Sequence, residues 1–355
     1  MRVALDVTPT IAGATGAARY ARELFHALEP TGVTLLPFAI GRGHHEPPPG
    51  TRRMRVPLRV VQRSWSLFGR PRAEQFVHGA EVVHSLDLVP PPSALPVVAT
   101  VHDLVALDYP QLHPRRAVHQ QRTRLQALND VGVIMASSRS TADALMRHGV
   151  DAHKIVVVPL GVRPDMASSA PPSNRGRPFL LAVGEVVPRK GLDVLVRAFA
   201  ELDDVDLVVA GPAGAATAEV AALIASLGVT NRVHLLGLVD DDALGALYRD
   251  ALALCFPSRA EGFGLPVLEA MVAGCPVVAT DLPVLREIIG GDGILVPPGD
   301  AIALSRALRD LLTNDGMRAE LARAGPRRAA AYSWANTAAA TVDAYERATR
   351  HVAER

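Results

Sequence analysis

Cysteine and lysine are almost missing from this chain of 355 residues: it has two cysteines, and of its 37 basic residues only Lys154 and Lys190 are lysines. Cys255 and Cys275 sit inside apolar runs, which excludes a disulfide framework and reads as small buried hydrophobes. Aromatic residues make up 4% against 49% apolar residues, which argues against an aromatic-rich β-sandwich and for an aliphatic α/β protein. No run of about 18 uncharged apolar residues occurs, and the opening MRVALDVTP passes straight into strand-like sequence, so neither a membrane span nor a leader is expected and the chain is placed in the cytoplasm. Ten of the twelve histidines precede residue 164, but none has the H-E-x-x-H spacing of a zinc site. The acidic runs DDVD at 203–206 and DDD at 240–242 stand beside a strand and at a helix start, where carboxylates favour the helix dipole; no metal is expected.

Charge is uneven although the total is +1. Residues 1–163 carry 19 Lys/Arg and 12 Asp/Glu, or +7; residues 164–355 carry 18 and 24, or −6. Within TRRMRVPLRVVQRSWSLFGRPR, Arg52, Arg53, Arg55, Arg59, Arg63, Arg70 and Arg72 occur without an acid, interleaved with Trp65, Leu67 and Phe68. Such a segment, residues 52–72, suits the surface of an anionic membrane on the inner face or an anionic acceptor; a solvated basic face is the plainer reading. No nucleic-acid motif accompanies it, so nucleic acid is not expected as a partner.

Short apolar runs alternate with helical patterns in two successive series, RVALDV to KIVVVPLG and PFLLAVGEV to CPVVATD. This alternation predicts two Rossmann-like parallel-sheet domains facing a central cleft. The first is expected over 1–166 and the second over 179–336, joined by the Ser/Pro/Gly-rich linker 167–178. A C-terminal helix at about 337–355 could return to the first domain.

The stretch PSRAEGFGLPVLE at 257–269 places Glu261 and Glu269 around a Gly-Phe-Gly-Leu-Pro turn, between a strand-like run and a short helix. Helix N-termini offer unpaired N–H groups and positive potential, so the turn suits a phosphate or a sugar hydroxyl. Glu269, read in the first helical turn, could accept from a ribose diol, and Glu261 could reach a second polyhydroxylated ring; equally, one could serve the dipole and the other be an exposed loop acid. VGEVVPRKGLDVLVRAF, at 183–199, reads as strand, tight turn and helix with Arg189 and Lys190 at the turn. A lysine in so arginine-rich a chain suggests a compact ammonium for a diphosphate oxygen.

PRKGLDVLVRAF, AGP at 210–212, RVHLLGLVDDDALGALYRDA and PSRAEGFGLPVLEAMVAGCPVVATDLPVLREIIGGDGILVPPGD together resemble, in content and order, the donor-binding half of the retaining glycosyltransferases of family 4, which have the GT-B fold. Glu261 and Glu269 look like their E-x7-E signature, and the likeness extends to the mannosyltransferase group. TGAARYARELFHAL, VVHSLD, TVHDLVAL and VVVPLGV fall where that family has its acceptor-domain motifs.

The resemblance implies that the cosubstrate is a nucleoside diphosphate sugar, with no separate cofactor. Glu269 would hold the ribose and Glu261 the transferred sugar, with N–H groups of Phe263, Gly264 and Leu265 on sugar and phosphate. Lys190 and Arg189 would neutralise the leaving diphosphate, Gly184 would let it approach, and Val239 would meet the base through its backbone. His102 would lie over the donor sugar and Gly16 near the phosphates. The acceptor would be a sugar, a lipid-linked saccharide or another anionic molecule. Two positions depart from the family pattern: Gly184, Glu185 and Val186 replace Gly-Arg-Leu, making Arg189 the stand-in for the missing arginine, and Ala18 replaces the second glycine of Gly-Ile-Gly-Arg-Tyr. A nucleotide-sugar 2-epimerase of the same fold and a non-catalytic sugar-nucleotide-binding protein are the alternatives.

Overall fold

The computed structural model describes residues 1–13, 15–86, 89–164 and 176–353. The chain divides into two units, Met1–Gly161 with Trp334–Arg355, and Val162–Ser333. Residues 167–175 of the expected linker lie outside the described residues.

The first unit is built on β1 (Arg2–Asp6), β2 (Thr34–Ile40), β3 (Arg52–Met54), β4 (Val82–Leu86), β5 (Val97–Val101), β6 (Val133–Ala136) and β7 (Ile155–Val157). They form one parallel sheet in the order β3-β2-β1-β4-β5-β6-β7. Strands covered on both faces are buried along their length, so VIMA is apolar throughout, and VVHSL and VVATV show no alternation of exposure and satisfy the buried His84 and Thr100 by a bond between them at 2.8 Å. The sequence did not reveal β2, because Pro37 interrupts it and cannot donate to a ladder. The structure tolerates Pro37 because β3 pairs with β2 only from Phe38 onward.

Helix α1 (Gly16–Leu28) starts where the Thr15 hydroxyl accepts from the Ala18 N–H at 3.2 Å. Helices α2 (Leu58–Phe68), α3 (Arg115–Ala127) and α4 (Arg139–Arg147) follow. Val61 and Trp65 of α2, Leu125 of α3 and Leu145 of α4 pack into one core with Ala4, Phe38, Val83, Ala99 and Ile134. These three helices therefore cover one sheet face. The expectation that Trp65 belongs to the surface that segment 52–72 offers to a membrane is corrected here: its side chain is 7% exposed and its indole N–H donates to the Pro71 carbonyl at 2.9 Å. At helical spacing Trp65 falls on the same stripe as Val61, and the stripe faces the sheet.

The second unit holds β8 (Phe179–Val183), β9 (Asp206–Ala210), β10 (Val233–Gly237), β11 (Ala253–Phe256), β12 (Val277–Thr280) and β13 (Ile294–Val296). Its sheet is parallel in the order β10-β9-β8-β11-β12-β13. Strand order reverses between β8 and β11, which leaves a crevice beyond their carboxyl ends where connecting chain departs in opposite directions. Helices α5 (Leu192–Phe199), α6 (Asp241–Asp250) and α7 (Leu265–Val272) follow β8, β10 and β11 in turn. Asp240 of the DDD run caps α6 by accepting from the Ala243 N–H at 2.7 Å, and Asp241 pairs with Arg163 at 3.1 Å. Both cysteines are buried, and burial pushes the Cys275 thiol up to about 12.

The last helix, α8 (Trp334–Ala353), belongs to the first unit. It lies on the sheet face opposite α2, since successive strand side chains alternate. Val83 enters the α2 core, whereas its neighbour His84 bonds Tyr345 of α8 at 2.7 Å.

Candidate functional site

The crevice beyond β8 and β11 is bordered by two loops, 184–191 and 257–264, locked together by polar contacts. The Arg259 N–H donates to the Arg189 carbonyl at 2.8 Å, and Arg189 Nη1 donates to the Ala260 carbonyl at 2.9 Å. The Arg259 guanidinium grips Asp193 through two bonds of 2.7 Å and also reaches the Pro188 carbonyl. Gly191 makes this closeness possible: its φ is +65°, and a Cβ there would stand 2.1 Å from the Pro257 carbonyl oxygen.

At the centre, Lys190 Nζ donates to Glu261 Oε1 at 2.6 Å, and Ser258 Oγ donates to the same oxygen at 2.7 Å. Arg189 Nη1 stands 3.1 Å from it. Every one of these contacts falls on Oε1, so Oε2 is left without a partner among the described residues. The Glu261 side chain is 7% exposed. Burial alone pushes its carboxyl up, but the charges of Lys190 and Arg189 and the bonds from Lys190 and Ser258 outweigh that and hold it below the ordinary carboxylate range. Glu261 is therefore an anion at neutral pH. Lys190, 18% exposed and 4.9 Å above the Phe256 ring, keeps further N–H donors beyond the one given to Glu261.

Lys190 and Ser258 line a small pocket with Gly184, Glu185, Phe256 and Pro257. Gly184 follows β8 directly, its N–H donates to the Ala210 carbonyl at 2.9 Å, and a Cβ on it would press on the Lys190 side chain at 3.3 Å. Glu185 is exposed beside it.

Helix α7 begins at Leu265 with Gly264 before it at φ +108°, a left-handed conformation where a Cβ would also strike Leu285 at 2.8 Å. No hydrogen bond among the described residues takes up the N–H of Phe263, Gly264 or Leu265. Such donors at a helix N-terminus suit an anion or a hydroxyl oxygen. The reading of Glu269 in the first helical turn is corrected: it is the fifth residue of α7, in the second turn, because the left-handed Gly264 ends the loop early and Pro266 lies inside the helix. Glu269 is buried, and the buried Tyr248 hydroxyl of α6 donates to its Oε2 at 2.9 Å. Val239 lies half-buried in the loop after β10.

His102 and Gly16 belong to the first unit. His102 follows β5, sets its ring edge-on to Tyr20 at 4.5 Å, and has a buried Nε2 with no partner among the described residues. Its carbonyl accepts from Ser137 Oγ at 2.7 Å and Thr141 Oγ1 at 3.2 Å. Gly16 is the first residue of α1, and a Cβ there would meet nothing within 4 Å, so packing in the unit does not demand a glycine.

Lys190, Arg189, Glu261 and Gly184 are thus brought together, and Phe263, Gly264 and Leu265 continue the same loop. Ser258, Arg259, Asp193 and Tyr248 escaped the sequence reading. Ser258 could have been suspected from its place three residues before Glu261; the Asp193–Arg259 grip spans distant segments and leaves no local signal.

The pattern described as "Glycosyl transferases group 1" matches residues 167–328, and that described as "Glycosyltransferase Family 4" matches residues 14–166. The D-inositol 3-phosphate glycosyltransferase of Xylanimonas cellulosilytica is 34% identical over 280 residues, which cover 72% of this chain and 67% of that protein. The MMP alpha-(1->4)-mannosyltransferase of Mycolicibacterium hassiacum is 37% identical over 231 residues, 62% of this chain but only 55% of the relative. Sucrose-phosphate synthase from Thermosynechococcus elongatus superposes with a TM-score of 0.79 over 98% of both chains at 23% identity.

Proposed function

The chain belongs to the family 4 glycosyltransferases of the GT-B fold, and from that premise we propose that it moves a hexose-type sugar from a nucleoside diphosphate sugar to an acceptor hydroxyl with retention of anomeric configuration and without a metal ion. The observation that carries this reading is the assembly of Lys190, Arg189 and Glu261 at the crevice of the second unit. Its remaining ammonium N–H groups and the free N–H groups of 263–265 offer positive potential to a leaving diphosphate. Oε2 of Glu261, an ionised acceptor, suits a hydroxyl of the transferred ring. In the proposed step the acceptor oxygen bonds the anomeric carbon from the leaving-group face as the bond to the diphosphate breaks, and a diphosphate oxygen takes the acceptor proton. No protein base is needed. His102 is the first-unit residue assigned to the donor sugar, and a sugar, lipid-linked saccharide or other anionic molecule is the acceptor class that matches the basic first half.

The names of both relatives are those of transferases, which supports transfer over the epimerase and the non-catalytic readings. Incubation with GDP-, UDP- and dTDP-hexoses and an acceptor panel in EDTA is expected to give a glycoside of unchanged anomeric configuration. Loss of activity restored by Mn²⁺, an inverted product, or a C2-epimerised donor with no glycoside would overturn the reading.

A second expectation concerns the ribose contact. Glu269→Ala is expected to raise the KM for the donor about thirtyfold, ~2 kcal/mol, with little change in kcat, as suits a hydrogen bond to a charged acceptor made equally in ground and transition states. Tyr248→Phe, which frees Glu269 Oε2 from one donor, should shift KM in the same assay by much less. A fall in kcat at unchanged KM for Glu269→Ala would remove Glu269 from the ribose.

A further inference from the structure

Residues 47–73 and 109–129 contain eleven arginines and no acid, eleven of the nineteen Lys/Arg before position 164. Their helices α2 and α3 pack on the same sheet face through Val61, Trp65 and Leu125. Their outer sides therefore point away from that face together.

On α2 the outer side carries Arg59, Val60, Arg63 and Leu67, and Phe68, the last residue of the helix, is exposed where the helix runs past the core; Val60, Leu67 and Phe68 are 58%, 63% and 74% exposed. On α3 it carries Arg115, Arg116, His119 and Arg122, all exposed. Among the described residues the side chains of Arg59, Arg63, Arg115, Arg116 and Arg122 make no hydrogen bond or ion pair. Two of the four acids that border these stretches are engaged elsewhere, and the other two, Glu46 and Asp130, leave the arginines in large excess. Asp108 is taken by Arg147 and His148, each at 2.8 Å, and Glu74 accepts from Ser93 Oγ at 2.8 Å and the Leu95 N–H at 3.1 Å.

We propose that α2 and α3 together form a docking surface for an anionic lipid bilayer. Arginines with free guanidinium groups draw the unit to negative headgroups. Val60, Leu67 and Phe68, exposed on the same layer, favour a bilayer over a soluble polyanion, because apolar side chains gain only where they leave water for an apolar medium. Trp65 takes no part. This inference does not depend on sugar transfer, and its test needs no donor, so the two fail separately.

Co-sedimentation of the full chain with phosphatidylcholine vesicles, with and without phosphatidylglycerol, tests it. Binding is expected only to the anionic vesicles, at low salt, with release as salt rises. Each arginine near the surface changes partitioning about fivefold. Arg115→Gln with Arg116→Gln and Arg122→Gln should therefore weaken binding by about a hundredfold, and Arg59→Gln with Arg63→Gln by somewhat less. Leu67→Ser with Phe68→Ser should weaken it further and leave the residual binding more sensitive to salt. Unchanged melting temperatures would show that these surface variants remain folded. Wild-type chain that stays in the supernatant at low salt overturns the proposal. So does an α3 triple variant that binds like wild type, or vesicle binding indifferent to Leu67→Ser with Phe68→Ser while heparin retains the protein.

Discussion

Lys190→Ala is expected to lower kcat by about a thousandfold, ~4 kcal/mol of transition-state stabilisation, the scale of removing a fixed charge or donor from a site where negative charge develops. Two consequences meet in this variant. The diphosphate loses the ammonium, and Glu261 keeps only Arg189 and Ser258 on Oε1. Glu261→Gln separates them. If Lys190 served only to balance a buried carboxylate, adding Glu261→Gln to Lys190→Ala would restore melting temperature and bring turnover to that of Glu261→Gln alone. For a lysine that neutralises a leaving group, the double variant should regain melting temperature and stay about a thousandfold slower than Glu261→Gln. Lys190→Arg should rescue little, since a planar guanidinium does not fit where the lysine stem runs so close to Gly184 that even a Cβ there would press on it and where the ammonium sits over the Phe256 ring. Steady-state kinetics with thermal unfolding of the four proteins decide between the outcomes.

The two-sheet α/β architecture was legible because parallel strands and their connecting helices write themselves as runs of apolar residues at two different periods. The turns bearing Lys190 and Glu261 were legible for the same reason, as strand ends followed by glycine. Their bond to each other was not. They stand 71 residues apart and meet because β8 pairs with β11, across two intervening strands of the chain. Nothing local encodes that adjacency. Burial misled in two further places. Trp65 read as part of a basic surface because charge was counted along the chain, whereas helical rotation carries it inward. Glu269 read as an accessible helix-start acid, whereas it is the fifth residue of its helix and rests against Tyr248 from a neighbouring one.

Asp6→Asn is expected to make the chain acid-sensitive. Two buried titrating groups lie on neighbouring strands of the first sheet and on its opposite faces, Asp6 at the end of β1 and His84 on β4, where Leu5 registers with His84 and Asp6 with Ser85. Burial, aided by the charge of His102, lowers His84 to about 3, so the folded chain holds it neutral between Tyr345 at 2.7 Å and Thr100 at 2.8 Å. An unfolded chain protonates it below about 6.5, so the unfolded state binds the extra proton and stability falls with falling pH, by about 3 kcal/mol at pH 4. Asp6 runs the other way. Burial, outweighing its bonds from Thr8, raises its carboxyl to about 6. Here the folded state binds the proton first, so stability rises as pH falls from 7 to 4, by about 2 kcal/mol. The two trends nearly cancel in the wild type. Asparagine keeps an acceptor for the Thr8 N–H but cannot ionise. Urea unfolding at pH 7 and pH 4 should therefore show Asp6→Asn losing about 2 kcal/mol more than wild type over that interval, whatever its stability at either end. His84→Gln should show the opposite, gaining relative to wild type as pH falls. A difference between Asp6→Asn and wild type that is the same at both pH values would mean that Asp6 titrates normally, and would leave the acid response of this unit to His84 alone.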